Sequence, residues 1–182
     1  MGHGTATSRA FLDLLHAAGV KQVVDVRSLP ASRHNPQFAR SELQEWLPAG
    51  GLQYHWEADL GGFRRVRPDS PHLGLRHPSF RGYADYMATV SFLGAVERLL
   101  QMLPDGTTAI MCAESLWWRC HRRLIADHLV LTRAIQVFHL DHRGGLSPHR
   151  LTLGVTLEDG SLIYRLPPAG DPRAAMERIA AI

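Results

Sequence analysis

The chain has 182 residues, of which 45% are hydrophobic and 20% are charged, and its net charge is +3. These values indicate one soluble globular domain, and no apolar run approaches the roughly 20 residues that a membrane span requires. Two cysteines cannot form a disulfide framework and no secretory signal stands at the N-terminus, so we expect a cytoplasmic protein with reduced thiols.

The first part of the chain predicts two helices and two strands. Apolar residues at helical spacing predict a helix over Ser8–Ala18. The β-branched run Gln22–Val26 predicts the first strand, and Leu52–Trp56 predicts the second. Between them, Ser41-Glu42-Leu43-Gln44 has the form of a capping box and predicts a short helix that ends near Leu47.

A long irregular segment follows over Ala58–Ser79. It is rich in glycine, proline and arginine, and a connection of this length in a compact domain is typical of a binding loop or lid. We therefore expect it to fold over a functional site and to bring Arg64 or Arg65 towards that site.

The next part of the chain alternates helices with strands. The predicted helices are Phe80–Met87, Ser91–Leu103 and Arg119–Leu131, and the predicted strands are Thr107–Cys112 and Ile135–Leu140. This alternation favours a single α/β domain whose mostly parallel sheet is flanked by helices on both faces, in a Rossmann-like manner. We expect Val23–Val26 and Thr108–Met111 to be adjacent parallel strands.

The C-terminal part has a different pattern. Val155–Tyr164 predicts a β-hairpin that turns at Glu158-Asp159-Gly160, and Asp171-Pro172 can begin a short helix that runs to Ile182. We assign residues 1–150 to the α/β domain and residues 151–182 to a hairpin-and-helix extension of the same domain.

Four chemically reactive side chains surround the end of the predicted third strand. Cys112 and Glu114 lie at its carboxyl end, and Cys120 and His121 lie where the next helix begins. Open α/β sheets bind ligands at the carboxyl ends of their strands, so we predict catalytic roles for these four residues. Glu114 can act as a general base or nucleophile, and a helix start beside cations favours a reactive thiolate at Cys120.

Two other interpretations of the cysteines are open. Cys112, Cys120 and His121 could bind zinc with His139, but seven residues between the thiols is not a usual zinc-knuckle spacing, so we predict neither a metal ligand nor a cofactor. A phosphatase or sulfurtransferase loop would need glycines and an arginine six positions after the cysteine, where this chain has Trp118.

Several polar and aromatic residues could hold an anionic ligand. The predicted ligand-binding residues, which combine guanidinium groups with tyrosines and one carboxylate, are Asp25, Arg27, Arg33, Tyr54, Arg64, Arg81, Tyr83 and Arg122. The pair Asp25 and Arg27 could equally be a buried ion pair. Trp117-Trp118 could be a stacking platform or a hydrophobic staple.

The basic residues raise a similar choice. Lys21 is the only lysine among 20 basic residues, and the others are arginines. This bias either reflects a genome that prefers arginine codons or lines a site for phosphate or nucleic acid.

Taken together, these segments resemble the bacterial and archaeal family called domain of unknown function 488 (DUF488). The matching pieces lie between about residues 2 and 150, and they are Gly2-His3, Val24-Asp25-Val26-Arg27-Ser28, Pro30, Ser32-Arg33, Asn35-Pro36-Gln37-Phe38, Tyr54, Leu60-Gly61-Gly62, Phe80 through Met87, Met111 through Glu114, and Cys120-His121-Arg122. The resemblance implies no established activity. The family pattern usually begins with a short strand before the Gly-His pair. We therefore expect either a sheet that lacks this strand or a protein whose first residues precede the given sequence.

The sequence therefore favours an enzyme or a ligand-binding relative of one, without deciding whether it is catalytic. Its expected partner is a nucleotide, a nucleic-acid base or another anionic small molecule, and we expect no membrane partner. The first alternative is a non-catalytic nucleic-acid-binding module, and the second is a redox protein based on thiols or a metal. The oligomeric state is not predicted.

Overall fold

A computed structural model describes residues 1–31 and 33–167 of the chain. Its centre is a three-stranded parallel sheet in the order β2-β1-β3, formed by β1 (Gln22–Asp25), β2 (Gln53–Trp56) and β3 (Thr108–Met111). The predicted adjacency of β1 and β3 is confirmed, with Asp25 in register with Met111. The carboxyl ends of the three strands therefore meet at one edge of the sheet.

Helices pack on both faces of this sheet, as the sequence predicts. The helices are α1 (Ser8–Ala17), α2 (Arg40–Ala49), α3 (Pro78–Tyr86), α4 (Val90–Met102) and α5 (Arg122–Arg133). The Thr7 hydroxyl caps α1 by accepting a hydrogen bond from the Ala10 amide at 3.2 Å. The capping box predicted at Ser41 is wrong, because α2 begins at Arg40 and has no side-chain cap.

The sheet separates two hydrophobic cores. Successive residues of a strand point to opposite faces, so Val23 packs with α1 and α2 whereas Val24 packs with α3, α4 and α5. On β3 and just beyond it, Met111 belongs to the first core and Cys112 to the second. The face on which a residue lies therefore decides which helices surround it.

Two further pairs of strands lie outside the parallel sheet. Residues Phe138–Leu140 form β4, which pairs antiparallel with β5 (Leu146–Pro148). The prediction that this segment adds a strand to the parallel sheet is wrong, because its backbone is satisfied by the chain that folds back after Asp141. Strands β6 (Val155–Glu158) and β7 (Ser161–Tyr164) also pair antiparallel. A Rossmann-like order stays a prediction.

The first residues of the chain run alongside β3. The Met1 ammonium group donates to the Ile110 carbonyl at 2.7 Å, and the His3 amide donates to the Cys112 carbonyl at 2.9 Å. Gly2 and Cys112 form a parallel bridge. Glu114 leaves no room for a side chain at Gly2, since a Cβ there would lie 1.8 Å from its carbonyl oxygen.

Within the described residues, no helix is both long and apolar enough to cross a membrane. The helix predicted from Asp171-Pro172 to Ile182 lies outside the described residues. The division into a domain of residues 1–150 and an extension stays a prediction.

Candidate functional site

Two thiols and an imidazole meet at the carboxyl edge of the sheet. The Nδ1 atom of His121 lies 3.6 Å from Sγ of Cys120 and 3.9 Å from Sγ of Cys112. The three atoms lie within 4.8 Å of one another. Both cysteines are buried and reduced, with 9% of Cys112 and 4% of Cys120 exposed.

The local chain path explains this meeting. Cys112 follows the last residue of β3, and Cys120 and His121 directly precede α5. The intervening residues form an exposed loop that contains a short 3-10 helix, Trp117–Arg119. The sequence predicted that α5 starts at Arg119, but the loop continues to His121, and this brings the start of α5 back to the end of β3.

The backbone fixes the orientation of the imidazole. The Nε2 atom of His121 lies 2.9 Å from the Val26 carbonyl oxygen, which can only accept a hydrogen bond. Nε2 therefore carries the proton in the neutral ring, and the lone pair of Nδ1 faces the two sulfur atoms. This arrangement makes Nδ1 an acceptor for a thiol proton or a ligand for a cation.

The guanidinium group of Arg122 places a positive charge next to the sulfur atom of Cys120. The residue is 2% exposed, its Nε donates to Sγ of Cys120 at 3.4 Å, and its NH2 group donates to the Glu114 carbonyl. Because both contacts are internal, Arg122 orders the loop and stabilises charge on Cys120.

The two thiols differ in acidity. The hydrogen bond from Cys112 holds the pKa of Cys120 well below its ordinary value, with further help from His121 and Arg122, although burial opposes it. The same hydrogen bond raises the pKa of Cys112, and burial raises it further. Of the pair, Cys120 is therefore the more acidic thiol.

The long irregular segment reaches this cluster through Gly62. A Cβ atom at Gly62 would lie 3.2 Å from Nδ1 of His121, which is tighter than most real contacts, so a side chain here would crowd the imidazole. The next residue, Phe63, is 95% exposed and has a φ of 61°, a left-handed conformation that costs free energy for a residue with a side chain.

The arginines of this segment lie beside Gly62 in sequence. The Arg64 guanidinium stacks over the Tyr86 ring at 3.9 Å and makes a long contact of 3.5 Å with the Ala58 carbonyl. Arg65 is exposed. The segment thus approaches the cluster through the backbone of Gly62. A ligand-binding role for Arg64 or Arg65 stays a prediction.

Tyr83 forms a wall of the cluster. Its ring centroid lies 5.1 Å from that of His121, it is 1% exposed, and its hydroxyl donates to the Leu60 carbonyl at 2.7 Å. Burial raises the pKa of Tyr83 well above its usual value, so the phenol stays neutral.

Glu114 lies at the rim of the cluster. Its side chain is exposed, and its Oε1 accepts a hydrogen bond from the Leu116 amide at 2.9 Å. The carboxylate therefore orders the loop between the two cysteines in this structure. A catalytic role for Glu114 stays a prediction.

A second network lies on the opposite face of the sheet. The Asp25 carboxylate accepts hydrogen bonds from Nε of Arg27 at 2.8 Å and from the Tyr54 hydroxyl at 2.9 Å. The same guanidinium donates to the Phe38 carbonyl at 2.8 Å and lies 3.2 Å from Nε2 of His3. This is the buried ion pair that the sequence left open, and it approaches the loop after Cys112 through His3.

The remaining predicted ligand-binding residues, Arg33 and Arg81, are distant from the two cysteines in sequence. Arg33 is exposed in the loop after β1. Nε of Arg81 donates to the Leu75 carbonyl at 2.6 Å, and this bond fixes the end of the irregular segment against α3. For both residues a ligand-binding role stays a prediction.

The sequence analysis did not predict a buried hydrogen-bond network that packs against the loop between Cys112 and Cys120. Nε2 of His149 lies 3.0 Å from Oδ1 of Asp127, and its Nδ1 lies 2.9 Å from Nε2 of His139. His139 in turn stacks on Trp117. Asp127 lies on α5, His139 lies on β4 and His149 directly follows β5, so residues distant in sequence meet in this network. His139 therefore does not join the two thiols.

Comparisons with known proteins give one match. No curated protein matches the chain, and no solved structure matches it. A family model described as "Domain of unknown function DUF488" matches residues 7–129, which is more than half of the chain. The protein therefore belongs to the DUF488 family, as its sequence motifs predict.

Proposed function

We propose that this protein is an enzyme, or a ligand-binding relative of one, that acts on a nucleotide or another anionic ligand at the cluster of Cys112, Cys120 and His121. The observation that carries the proposal is the position of His121. Its Nδ1 faces both sulfur atoms while its other nitrogen is held by the Val26 carbonyl, so a polar, reactive centre is preorganised at a strand edge.

The surroundings of His121 support an anionic, partly aromatic ligand. Two loops adjoin this residue, one through Gly62 and one through the chain that leads to Cys120. Each loop carries an exposed aromatic ring beside an arginine, namely Phe63 with Arg64 and Trp118 with Arg119. Aromatic rings stack on bases and guanidinium groups pair with phosphates, so this combination suits a nucleotide.

The strain at Phe63 adds to this support. A left-handed backbone at a non-glycine residue costs roughly 1–3 kcal/mol and persists when its surroundings or its function require it. The Phe63 ring is almost fully exposed, so no packing of that side chain compensates for the cost. Contact with a ligand would give the exposed ring a partner.

The proposal is tested by calorimetric titration of the purified protein with AMP and with inorganic phosphate. We expect AMP to bind, and we expect Phe63→Ala and Arg64→Gln each to weaken that binding about tenfold. Arg67→Gln is the matched control, because Arg67 is an exposed arginine that already pairs with Asp69 at 2.7 Å. If neither ligand binds, or if all three variants bind like the parent protein, the proposal is wrong.

A nucleic acid is the second candidate, and the same exposed rings and arginines favour it. A short single-stranded oligonucleotide titrated at increasing salt separates the two possibilities. Binding that weakens steeply with salt would indicate a groove contacting several phosphates, whereas a small-ligand pocket responds less.

A further inference from the structure

We propose that Cys112, Cys120 and His121 bind one Zn²⁺ ion, with two thiolates and Nδ1 as ligands and with a fourth position open. These three residues offer two sulfur atoms and one imidazole nitrogen, a donor set that zinc proteins use in catalytic sites.

The distances match a tetrahedral zinc site. Zinc binds cysteine sulfur at about 2.3 Å and histidine nitrogen at about 2.0–2.1 Å, so a tetrahedral angle at the metal separates sulfur from nitrogen by about 3.6 Å. In this structure Nδ1 of His121 lies 3.6 Å from Sγ of Cys120 and 3.9 Å from Sγ of Cys112. The two sulfur-to-nitrogen distances thus need to change by no more than about 0.3 Å to match such a site.

The hydrogen bonds made by His121 and Cys120 also agree with those of metal ligands. A histidine that binds a metal usually donates its other ring N–H to a carbonyl or carboxylate, and Nε2 of His121 has this contact with the Val26 carbonyl at 2.9 Å. The Nε atom of Arg122 donates to Sγ of Cys120 at 3.4 Å, which supports a charged sulfur. Both contacts hold the ligands in orientation without using the atoms that would face the metal.

The charges of the zinc ion and its thiolate ligands balance as well. Two thiolates and one Zn²⁺ ion give a neutral group, and a neutral group is far less costly to bury than an isolated ion. Cys120 is 4% exposed and Cys112 is 9% exposed. A divalent ion thus allows both sulfur atoms to be deprotonated in a buried site.

The fourth position has no protein ligand among the described residues. His139, the ligand that the sequence offered, is stacked on Trp117 and bonded to His149. The described cluster of potential ligand atoms contains three residues and no carboxylate. We infer that the open position takes the anionic group of the bound ligand, and this part of the inference depends on the proposed function.

The experiment measures metal content of the full chain, purified with its tag removed and without chelators. Plasma mass spectrometry should find about one zinc ion per chain. Cys112→Ser, Cys120→Ser and His121→Gln should each lose most of the metal. His139→Gln is the matched control, since it removes an imidazole of β4 that lies outside the three-residue cluster, and it should leave the zinc content unchanged.

Substitution with Co²⁺ keeps the test valid even if a variant fails to fold. Cobalt bound by two thiolates in the unmodified protein should give sulfur-to-metal charge-transfer absorption and intense tetrahedral bands. A protein that stays metal-free after incubation with Zn²⁺, that forms a Cys112–Cys120 disulfide instead, or that keeps its zinc when either cysteine is replaced would overturn the proposal.

The outcomes separate this inference from the proposed function. Stoichiometric zinc without binding of AMP or phosphate would leave the metal site intact and refute the anionic ligand. AMP binding by a chain that never takes up zinc would refute the metal site and leave the proposed function intact.

Discussion

The imidazole of His139 lies flat against the indole of Trp117, with ring centroids 3.9 Å apart and planes 4° from parallel. Trp117 belongs to the loop between the two cysteines, and His139 belongs to β4. A hydrogen-bonded chain continues from His139 through His149 to the fully buried carboxylate of Asp127. The loop between the two cysteines therefore packs against β4 through Trp117 and is linked through His149 to Asp127 of α5.

Replacing the carboxylate at the base of this chain should weaken the fold. Asp127 accepts hydrogen bonds from His149, from the Thr152 amide at 2.9 Å and from the Tyr164 hydroxyl at 3.1 Å. In Asp127→Asn an amide group replaces one acceptor oxygen, so at least one buried donor loses its partner. We expect the free energy of unfolding to fall by about 1–3 kcal/mol in urea denaturation.

Tyr164→Phe is the control for this change, because it removes only one of the three hydrogen bonds. It should cost less than Asp127→Asn. Hydrogen exchange should also rise over residues 113–119 in Asp127→Asn, since the support for Trp117 is loosened. Unchanged exchange in that loop would mean that the network does not order it.

Acid should destabilise the protein through His128. Burial lowers the pKa of His128 to about 4, against about 6.5 in an unfolded chain. Between these values the unfolded state binds more protons, so the stabilisation is fully present above pH 6.5 and is lost as the pH falls towards 4. The melting temperature of the parent protein should therefore fall over this range.

His128→Leu should make that dependence less steep, because a buried apolar side chain of similar size has no proton to gain. Some dependence should remain, since burial also lowers the pKa of His3 to about 4 and the pKa of His139 to about 3. His34→Gln is the control, since His34 is exposed and should leave the pH profile unchanged. Equal slopes in His128→Leu and in the parent protein would assign the acid sensitivity to other groups.

The sequence pattern was sufficient to predict the strands of the central sheet and the helices around it. It was not sufficient to predict the pairing partner of every strand. Short β-branched runs and helical spacing located β1, β3 and α1 to within a few residues. Phe138–Leu140 reads as one more strand of the same sheet, yet it pairs with Leu146–Pro148 because a tight turn follows it. Pairing partners depend on chain reversal, which periodicity does not describe.

The candidate site shows the same limit. Both cysteines, His121 and Arg122 were identifiable from their position around a strand end, and the structure brings them together. Their spacing argued against a metal site, because spacing rules describe ligands on one turn and not ligands at the two ends of a loop. The alternation of Val24 and Asp25 between faces could have separated the Asp25 network from the thiols in advance.

Breaking the ion pair on the other face should cost stability without changing the thiol cluster. Asp25 is fully buried and Arg27 is 7% exposed, so Asp25→Asn leaves a buried guanidinium without its counter-charge. We expect a loss of about 3–5 kcal/mol in urea denaturation.

Tyr54→Phe provides the matched control for this pair. It removes a single hydrogen bond to the same carboxylate and should cost about 1 kcal/mol. In both variants the folded fraction should keep the thiol reactivity of the parent protein. Altered reactivity in Tyr54→Phe would show that the two faces communicate.

Adding one methyl group at Gly62 should perturb His121 directly. The new Cβ would lie 3.2 Å from Nδ1, the atom that faces the sulfurs, so either the loop or the imidazole must shift. We expect Gly62→Ala to weaken Co²⁺ binding about tenfold, measured by competition with a chelator. Gly94→Ala, in the interior of α4 and with 3.6 Å to its nearest neighbour, should bind Co²⁺ like the parent protein.

Two substitutions of Glu114 test how its side chain stabilises the loop between the two cysteines. Its Oε1 accepts a hydrogen bond from the Leu116 amide, and a glutamine oxygen can accept the same bond, so Glu114→Gln should change the stability by less than about 0.5 kcal/mol. Glu114→Ala removes the acceptor and should cost about 0.5–1.5 kcal/mol. Thermal unfolding measures both, and a large loss in Glu114→Gln would show that the negative charge itself stabilises the loop.

The contact between His121 and Val26 has a consequence for how the protein tolerates mutation. The group that sets the proton of the imidazole is a main-chain carbonyl, and every residue type at position 26 carries the same one. Substituting the Val26 side chain alters packing in the core but cannot delete the acceptor. The tautomer therefore does not depend on which residue type occupies position 26. Single substitutions can change it at His121 itself, by displacing the end of β1 or by crowding the imidazole from Gly62.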